Sequence, residues 1–281
     1  MVKGIPTSWL VALPESLAQT VTAFDLVQQG RAQTCFLKLE QDLEIFAKQS
    51  EQGLIRSEVN TLTFLAKQGE FSAFSYPELF GSEHNCLFTK KVNGAPLIDE
   101  LDLVIRDQSL AIALAELHSI DTKHFSDLGD AFALPEIEEL SKALKLFDVE
   151  PRNVERLLSN LSVAHTQILK NEPYLGFIHG DLTPDNILRF DNKPVFLDWE
   201  FASVRDVRWD LATICEEFNL TRAQRELFVD NYVASKPECE VDFLPGLTHW
   251  RFIYLATCFI WSVEQDFKST EYLAKLVNLL D

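Results

Sequence analysis

The sequence predicts an α+β fold, with a small strand-rich region first and a larger, mainly helical region after it. Short apolar runs of strand type cluster within residues 22–48. Beyond residue 107, most of the chain carries apolar side chains at helical spacing. Its 281 residues are enough for one large domain or for two lobes.

The first ninety residues contain strands and one helix. Apolar runs bounded by turn-like residues predict strands at residues 22–27, 34–39, 43–48 and 87–89. Residues 54–68 show helical spacing, and Gly69 follows as a stop signal. The last of these strands continues to Val92, after which Asn93 and Gly94 turn the chain.

Helices are predicted over most of the remaining sequence. They cover residues 107–118, 151–170, 221–232 and 247–264. A further helix opens at Pro135, where Glu136 and Glu138 favour the helix dipole. Thr221 with Gln224 forms the signature of a capping box.

Between these helices, a polar motif is flanked by short apolar strands at residues 176–178, 187–190 and 195–197. It begins with His179-Gly180-Asp181, and Asn186 follows five residues after Asp181. Asp198-Trp199-Glu200 comes directly after the last strand. Because the last two strands are joined by a turn, they predict a hairpin that brings Asn186 and Asp198 close together, beside Asp181.

The motif contains the groups that phosphoryl transfer needs. The reaction requires an anion that orients the attacking hydroxyl, oxygen ligands for Mg²⁺ and positive charge on the phosphates. Asp181 suits the first role, and Asn186 and Asp198 suit the second. The chain contains no GxxxxGK[ST], GxGxxG or HExxH pattern that would indicate a different phosphate or metal site.

This combination resembles a known family. His179-Gly180-Asp181 with Asn186 is similar to the catalytic loop of aminoglycoside phosphotransferases, choline kinases and their relatives. Asp198-Trp199-Glu200 stands where protein kinases have Asp-Phe-Gly, and it is more typical of choline/ethanolamine kinases and bacterial thiamine kinases. The run Asp-Val-Arg-Trp-Asp-Leu-Ala at 206–212 also resembles that branch. The resemblance covers about residues 22–265.

The resemblance implies a two-lobed protein-kinase-like fold. Residues 1–92 would form an N-terminal nucleotide-binding lobe with an antiparallel sheet. Residues 93–281 would form a C-terminal lobe that carries catalysis and substrate binding. The segment that joins the lobes in relatives binds the edge of adenine.

Further roles also follow from the resemblance. Lys48 would contact the α- and β-phosphates of ATP and pair with Glu58, while Lys38 is a rival for Lys48. Gly30 is the single glycine of the expected nucleotide loop, where relatives tend to have several small residues.

Two residues would support the catalytic loop. The resemblance implies that Asp210 braces this loop through backbone hydrogen bonds and that His179 supports it. His118 matches a histidine common at a helix end in relatives, but packing explains it better than catalysis.

The acceptor would lie beside Asp181, between Asp198-Trp199-Glu200 and the C-terminal helices. A quaternary ammonium or thiazolium is well held by aromatic faces together with a carboxylate. Trp250 and Trp261 are our candidate aromatic residues, although core packing would produce the same pattern. Glu200 is our candidate carboxylate; Glu216 and Glu217 are the other carboxylates that the sequence offers, and Phe252, Tyr254 and Phe259 the other aromatic residues.

Composition limits the class of partner. The net charge is −18. Residues 1–92 hold 8 basic and 10 acidic side chains, and the remaining residues hold 17 basic and 33 acidic side chains. This disfavours nucleic acid or an anionic membrane as partner, because phosphate binding needs clustered Lys and Arg. It suits a cationic small substrate, although an acidic surface also serves solubility.

Composition also bears on location. Five scattered Cys residues without a CxxC pair indicate reduced thiols in a cytoplasmic protein, without a zinc site. The sequence contains no apolar run long enough to span a membrane, and its N-terminus does not resemble a signal peptide. The sequence does not indicate an oligomeric state.

The function expected from the sequence is Mg²⁺-dependent transfer of phosphate from ATP to a hydroxyl of a small cationic alcohol. Choline or ethanolamine is the first choice, thiamine the second and an aminoglycoside the third. The alternative from a different class is a non-catalytic kinase-like binding protein, which the sparse loop around Gly30 would favour. Asp198-Trp199-Glu200 and the short segment before Asp210 disfavour a protein kinase.

Overall fold

Five antiparallel strands form a sheet in the N-terminal part of the protein. They are β1 (Val21–Gln28), β2 (Gln33–Leu39), β3 (Glu44–Gln49), β4 (Leu79–Glu83) and β5 (Cys86–Lys90). Their order across the sheet is β1-β2-β3-β5-β4. Helix α1 (Gln52–Gln68) lies between β3 and β4 in the chain, and Gly69 ends it with a positive φ of 98°. The computed structural model describes residue 13 and residues 20–28, 32–40, 43–126, 133–236 and 243–280.

The side chains of β2 and β3 alternate between two faces of this sheet. One face is the sheet's own core, formed with Leu13 by Cys35, Leu37, Leu39, Ile45 and Ala47. On the other face, Lys48 lies opposite Thr34, and Phe46 lies opposite Phe36. Because residues two apart in a strand share a face, Lys48 and both phenylalanines point the same way.

The rest of the described chain is mainly helical. Its helices are α2 (Leu101–Arg106), α3 (Ser109–Leu117), α4 (Ile137–Leu144), α5 (Pro151–Lys170), α6 (Arg208–Glu217), α7 (Arg222–Ser235), α8 (Phe243–Gln265) and α9 (Ser269–Asn278). Among the described residues, none of the helices combines the length and the apolar character that crossing a membrane requires. The prediction of an α+β fold, with an N-terminal antiparallel sheet and a mainly helical C-terminal part, is confirmed.

Short strands carry the polar motif. They are β6 (Ala95–Pro96), β7 (Leu175–Ile178), β8 (Ile187–Phe190), β9 (Lys193–Phe196) and β10 (Ser203–Asp206). β8 and β9 form the predicted hairpin, with β6 at its edge, and β7 pairs with β10. The hairpin turn consists of Asp191 and Asn192, both with positive φ, as a two-residue turn between twisted strands requires.

The segment after α1 joins the core of the helical part. Ser75 donates its N–H to the Pro194 carbonyl and accepts from the Phe196 N–H, both at 3.0 Å. Phe74 is buried, with its ring centroid 5.4 Å from that of Phe196. The buried apolar side chains of α1 belong to the same core as the C-terminal helices.

The predicted helix at residues 107–118 needs correction at its start. α2 ends at Arg106, and Gln108 adopts a left-handed φ of 65°. The Asp107 carboxylate accepts the Ser109 N–H at 2.9 Å, so α3 begins only at Ser109. The sequence did not predict β4, α2, α6 or α9, whose apolar patterns are short.

Helix starts were predicted better. Thr221 and Gln224 form a capping box at α7, which runs three residues past the predicted end at Tyr232. The helix expected to open at Pro135 starts at Ile137, with Glu136 capping it. The strands predicted at residues 34–39 and 43–48 require a turn at residues 41–42, which lie outside the described residues.

Candidate active site

Asp181 and Asn186 form one unit in the loop between β7 and β8. The Asn186 Nδ2 donates to the backbone oxygen of Asp181 and to its carboxylate Oδ2, both at 2.9 Å. The remaining Asn186 side-chain oxygen is not used in this pair, and an amide oxygen is a suitable ligand for Mg²⁺. The hairpin also ties Asn186 to the strand that leads to Asp198, because the Leu197 N–H donates to the Asn186 carbonyl at 2.9 Å.

Asp210, in α6, braces the backbone before Asp181. Its Oδ2 accepts the His179 N–H at 2.8 Å, and its Oδ1 accepts the Gly180 N–H at 2.9 Å. Asp210 is fully buried. Gly180 has a φ of 89°, and a Cβ at this position would lie 2.4 Å from the Phe201 carbonyl oxygen, so the turn requires glycine.

The His179 ring is part of the same support. Its Nε2 donates to the Leu197 carbonyl at 2.8 Å, and its Nδ1 accepts the Asp181 N–H at 3.3 Å. Burial lowers the pKa of His179, so the ring stays neutral and keeps both contacts. The ring therefore connects the loop that carries Asp181 to Leu197, directly after β9.

Lys48 is surrounded by three carboxylates. Its ammonium lies 3.0 Å from Glu58 Oε2, 2.5 Å from Asp198 Oδ1 and 2.6 Å from Glu200 Oε2. Burial would lower the pKa of Lys48, but the three carboxylates raise it well above its usual value. Lys48 therefore stays charged and joins the sheet to the segment after β9. Lys38 is exposed on β2.

The same three carboxylates offer a metal-binding arrangement. One oxygen each from Glu58, Asp198 and Glu200 lies within 4.8 Å of the others, a spacing at which they could share a cation. Glu58 has a further role, because its Oε1 accepts the Trp199 N–H at 3.3 Å. Burial raises the pKa of Glu58, and the Lys48 ammonium opposes this. Asp198 has a φ of 62°, a strained backbone of the kind that clusters at functional sites.

Asp181 lies within the field of two separate acidic groups. Burial, together with the charges of Asp198, Glu200 and Glu217, raises its pKa to about 7. The hydrogen bond from Asn186 opposes the rise. A carboxyl group with a pKa near neutrality is suited to accept a proton from a substrate hydroxyl.

Glu217, at the end of α6, is the centre of the second acidic group. Its Oε1 accepts the hydroxyl of Tyr254 at 2.8 Å and that of Tyr272 at 3.1 Å. Burial raises the pKa of both tyrosines, so they remain neutral donors. The Trp209 ring meets Tyr254 edge to face, with 5.3 Å between centroids. Trp209 also donates from Nε1 to the Gly180 carbonyl at 3.0 Å, which connects this group to the loop that carries Asp181.

The residues predicted to bind the acceptor do not form one group. Glu200 contacts Lys48, at 2.6 Å. Trp250 is buried against Trp209, with 6.4 Å between ring centroids, whereas Trp261 is 41% exposed and contacts Phe267. The two tryptophans are eleven residues apart in α8 and thus about 16 Å apart along its axis. They cannot both surround one small cation. Gly30 lies outside the described residues.

Sequence reasoning missed the grouping around Glu217. Tyr272 lies in α9, which was not predicted, and it is 55 residues from Glu217 in the chain. Glu217 and Tyr254 were only two of several acidic and aromatic possibilities. The usable signal was that Tyr254 and Trp250 lie one helical turn apart, on the face of α8 that meets α6.

Known proteins share the sequence pattern. A family profile described as APH: Phosphotransferase enzyme family matches residues 26–239. The protein LicA homolog of Metamycoplasma hominis is 26% identical over 162 residues, which are 56% of this chain and 60% of that protein. Protein LicA of Haemophilus influenzae is 34% identical over 64 residues, 23% of this chain and 24% of that protein. The chain thus matches less than two thirds of the length of these relatives.

Solved structures share the fold. A choline/ethanolamine kinase family protein from Mesorhizobium loti has a TM-score of 0.72 at 15% identity, over 98% of this chain and 93% of that chain. The choline kinase LicA from Streptococcus pneumoniae has a TM-score of 0.69 at 17% identity, over 93% of this chain and 94% of that chain. The GDP and kanamycin complex of APH(2")-IIia has a TM-score of 0.68 at 18% identity, over 93% of this chain and 92% of that chain. At these identities, the likeness shows the fold.

Proposed function

Because the chain belongs to the APH phosphotransferase enzyme family, we propose that it transfers the γ-phosphate of ATP to the hydroxyl group of a small cationic alcohol. Choline and ethanolamine are the leading acceptors. The observation that carries the proposal is the environment of Asp181. Contacts join its loop to two groups: Leu197, directly before Asp198, donates to the Asn186 carbonyl, and Trp209, which packs on Tyr254, donates to the Gly180 carbonyl. We assign the group around Lys48 to phosphate and the group around Glu217 to the cation of the acceptor.

In the proposed nucleotide site, the Lys48 ammonium binds the α- and β-phosphates. Its support is the buried position of Lys48 on the face of β3 that meets the helical part. Glu58 holds the ammonium from the side of α1 at 3.0 Å, so the cation is oriented before nucleotide binds.

The nucleotide base would lie against the phenylalanines beside Lys48. Phe36 and Phe46 face each other across β2 and β3, with 5.6 Å between ring centroids. The Lys91 ammonium lies 4.8 Å from the Phe36 centroid and pairs with Glu44 at 3.0 Å. Aromatic faces stack well with nucleobases. We place the lobe boundary near residue 92, directly after this surface.

The proposed metal ligands are Asn186 and Asp198, with Glu200 as an addition that the geometry supports. All three offer oxygen, the ligand atom that Mg²⁺ prefers. Glu58 already serves Lys48 and the Trp199 N–H, which makes it a less suitable ligand. When bound, Mg²⁺ would supply positive charge against the β- and γ-phosphates. Glu200 thereby moves from the acceptor role expected from the sequence to the metal group.

Asp181 orients the acceptor hydroxyl and takes its proton. As the hydroxyl oxygen bonds to the γ-phosphorus, the bond from that phosphorus to the β–γ bridging oxygen breaks and ADP leaves. The Asn186 amide holds the Asp181 carboxylate oxygen Oδ2, which leaves Oδ1 for the hydroxyl. Asp210 and His179 keep the loop in place during this step.

The cationic end of the acceptor would lie at Glu217. A carboxylate combined with the aromatic rings of Tyr254, Tyr272 and Trp209 is the combination that holds an ammonium group in a partly dry site. This assignment replaces Trp261 and Glu200 by residues that contact one another.

The experiment is a measurement of ADP formation with choline, ethanolamine, thiamine and kanamycin as acceptors, followed by ³¹P NMR of the phosphorylated product. We expect turnover with choline or ethanolamine. In the Glu217→Gln variant, which keeps a hydrogen-bond acceptor for both tyrosines, we expect KM for the acceptor to rise about tenfold or more because the cation loses its counter-charge. KM for ATP should not change.

Glu264→Gln is the matched control, because this side chain is exposed on α8. It should leave both KM values unchanged. Turnover with kanamycin or thiamine and none with choline or ethanolamine would reject the leading acceptors but keep the kinase. An unchanged acceptor KM in Glu217→Gln would reject the cation site.

A further inference from the structure

The buried hydroxyl of Tyr232, in α7, contacts one of the residues that hold Asp210, the brace of the loop before Asp181. It lies 2.8 Å from His118 Nδ1. The other ring nitrogen, His118 Nε2, lies 3.1 Å from Asp210 Oδ2. All three residues are almost fully buried. The contacts thus form a chain from α7 through the end of α3 to α6.

The chemistry of the partners determines the direction of these hydrogen bonds. Asp210 already accepts the N–H groups of His179 and Gly180 with its two oxygens, so it acts as an acceptor. His118 must therefore carry its proton on Nε2 and present a lone pair on Nδ1. Tyr232 donates to that lone pair. Burial lowers the pKa of His118, which keeps the ring in this neutral form.

Lys236, the residue directly after α7, holds His118 at a second point. The Lys236 ammonium, one helical turn after Tyr232, lies 3.4 Å from the His118 carbonyl oxygen and 3.0 Å from Ser119 Oγ. The ring of His118 is therefore held from α7 and its backbone from the residue directly after α7, although neither contributes a proposed catalytic, metal or acceptor residue.

We propose that Tyr232 is a positioning residue for phosphoryl transfer. Its hydroxyl holds His118 in the Nε2–H form, His118 donates to Asp210, and Asp210 holds the two amides that precede Asp181. This inference rests on the proposed role of Asp181. It adds that the geometry of the catalytic loop depends on a hydroxyl in a helix outside the active site.

The test is Tyr232→Phe, which removes the hydroxyl and keeps the ring. We expect kcat to fall about tenfold, the rate equivalent of one lost buried hydrogen bond, with KM for ATP and acceptor unchanged. Amide hydrogen exchange at His179 and Gly180 should become about tenfold faster, because their acceptor is less well fixed. Tyr76→Phe, which removes the hydroxyl of a half-buried tyrosine outside this chain of contacts, is the matched control and should change neither quantity.

A second pair of variants tests the route. In a His118→Leu background, Tyr232→Phe should cause no further loss of kcat, because its partner is already absent. His118→Gln, which keeps an N–H donor for Asp210, should retain more activity than His118→Leu. A full additional loss in the Leu background, or unchanged amide exchange and kcat in Tyr232→Phe, would overturn the proposal. If the wild-type protein phosphorylates no acceptor, the proposed function fails, whereas hydrogen exchange still decides whether Tyr232 supports the loop.

Discussion

Asp181 combines two properties that oppose each other. Burial, followed by the charges of Asp198, Glu200 and Glu217, raises its pKa to about 7 from a usual value of 3.8. The same residue is the proposed acceptor of the substrate proton. The ionised form of Asp181 is unfavourable until substrates bind, because it is buried near like charges. Removal of its charge should therefore lower activity and raise stability.

The activity side of this conflict can be tested with Asp181→Asn. We expect kcat to fall by about 10²- to 10⁴-fold, because the amide cannot accept the hydroxyl proton. In the wild type, kcat/KM should rise with pH through about 7, as the carboxyl of the free protein ionises. Asp185→Asn, four residues away and exposed, is the control and should keep its activity. Equal activity of Asp181→Asn and Asp185→Asn would remove Asp181 from the mechanism.

The stability side gives a pH dependence of known sign. A carboxyl whose pKa is raised on folding binds more protons in the native state, so its contribution to stability falls as pH rises from about 4 to about 7. At pH 8, Asp181→Asn should be more stable than the wild type by about 1–3 kcal/mol in urea unfolding, whereas at pH 4 the two should be nearly equal. A variant that is less stable at pH 8 would contradict the assigned rise in the pKa of Asp181.

Among the elements, α1 is held against the β8–β9 hairpin by the segment that follows it. Glu116, near the end of α3, accepts the N–H and hydroxyl of Ser72 at 2.9 and 2.8 Å and the Ala73 N–H at 2.7 Å. Two residues later, Ser75 pairs with β9. Because α1 carries Glu58, these contacts fix the carboxylate that orients Lys48.

Glu116→Ala tests this role of the segment. The variant leaves three donors without their acceptor, so the free energy of unfolding should fall by about 2 kcal/mol. KM for ATP should rise several-fold, because Glu58 and Lys48 lose part of their alignment. Urea unfolding and steady-state kinetics measure the two effects. Glu155→Ala, an exposed glutamate of α5, should alter neither. Lower stability with an unchanged KM for ATP would show that the segment does not affect the alignment of Lys48.

The elements also show what the sequence can predict. The β8–β9 hairpin and the cap at Thr221 were predictable because turns and caps depend on residues a few positions apart. The group around Glu217 was not, because it depends on how α6, α8 and α9 pack together. Tyr272 is 55 residues from its partner, and no local pattern distinguishes it from a core residue. For the same reason, Glu200 was expected at the acceptor, whereas its contact is Lys48, 152 residues away.

For the molecule as a whole, the proposed nucleotide would contact residues from both parts of the fold. Lys48 belongs to the N-terminal sheet, whereas Asp198 and Glu200 follow the hairpin of the helical part. One ammonium facing three carboxylates leaves an excess of negative charge in the cluster. A magnesium–nucleotide complex would bring positive charge to the carboxylates and phosphate to the ammonium, so it should stabilise both parts together.

This coupling predicts that Mg²⁺ and ATP stabilise the protein jointly. At a concentration about 100 times its dissociation constant, Mg–ATP should add about 2.7 kcal/mol and raise Tm by roughly 5 °C or more. ATP with EDTA should give a much smaller shift, because the nucleotide then brings no charge to Asp198 and Glu200. Lys48→Met should lose most of the Mg–ATP shift, whereas Lys38→Met, on the exposed part of β2, should keep it. Differential scanning fluorimetry measures all four. A shift lost in Lys38→Met and kept in Lys48→Met would reverse the assignment of the phosphate-binding lysine. If the wild type shows no shift at millimolar Mg–ATP, that result would favour a kinase-like protein that binds another ligand.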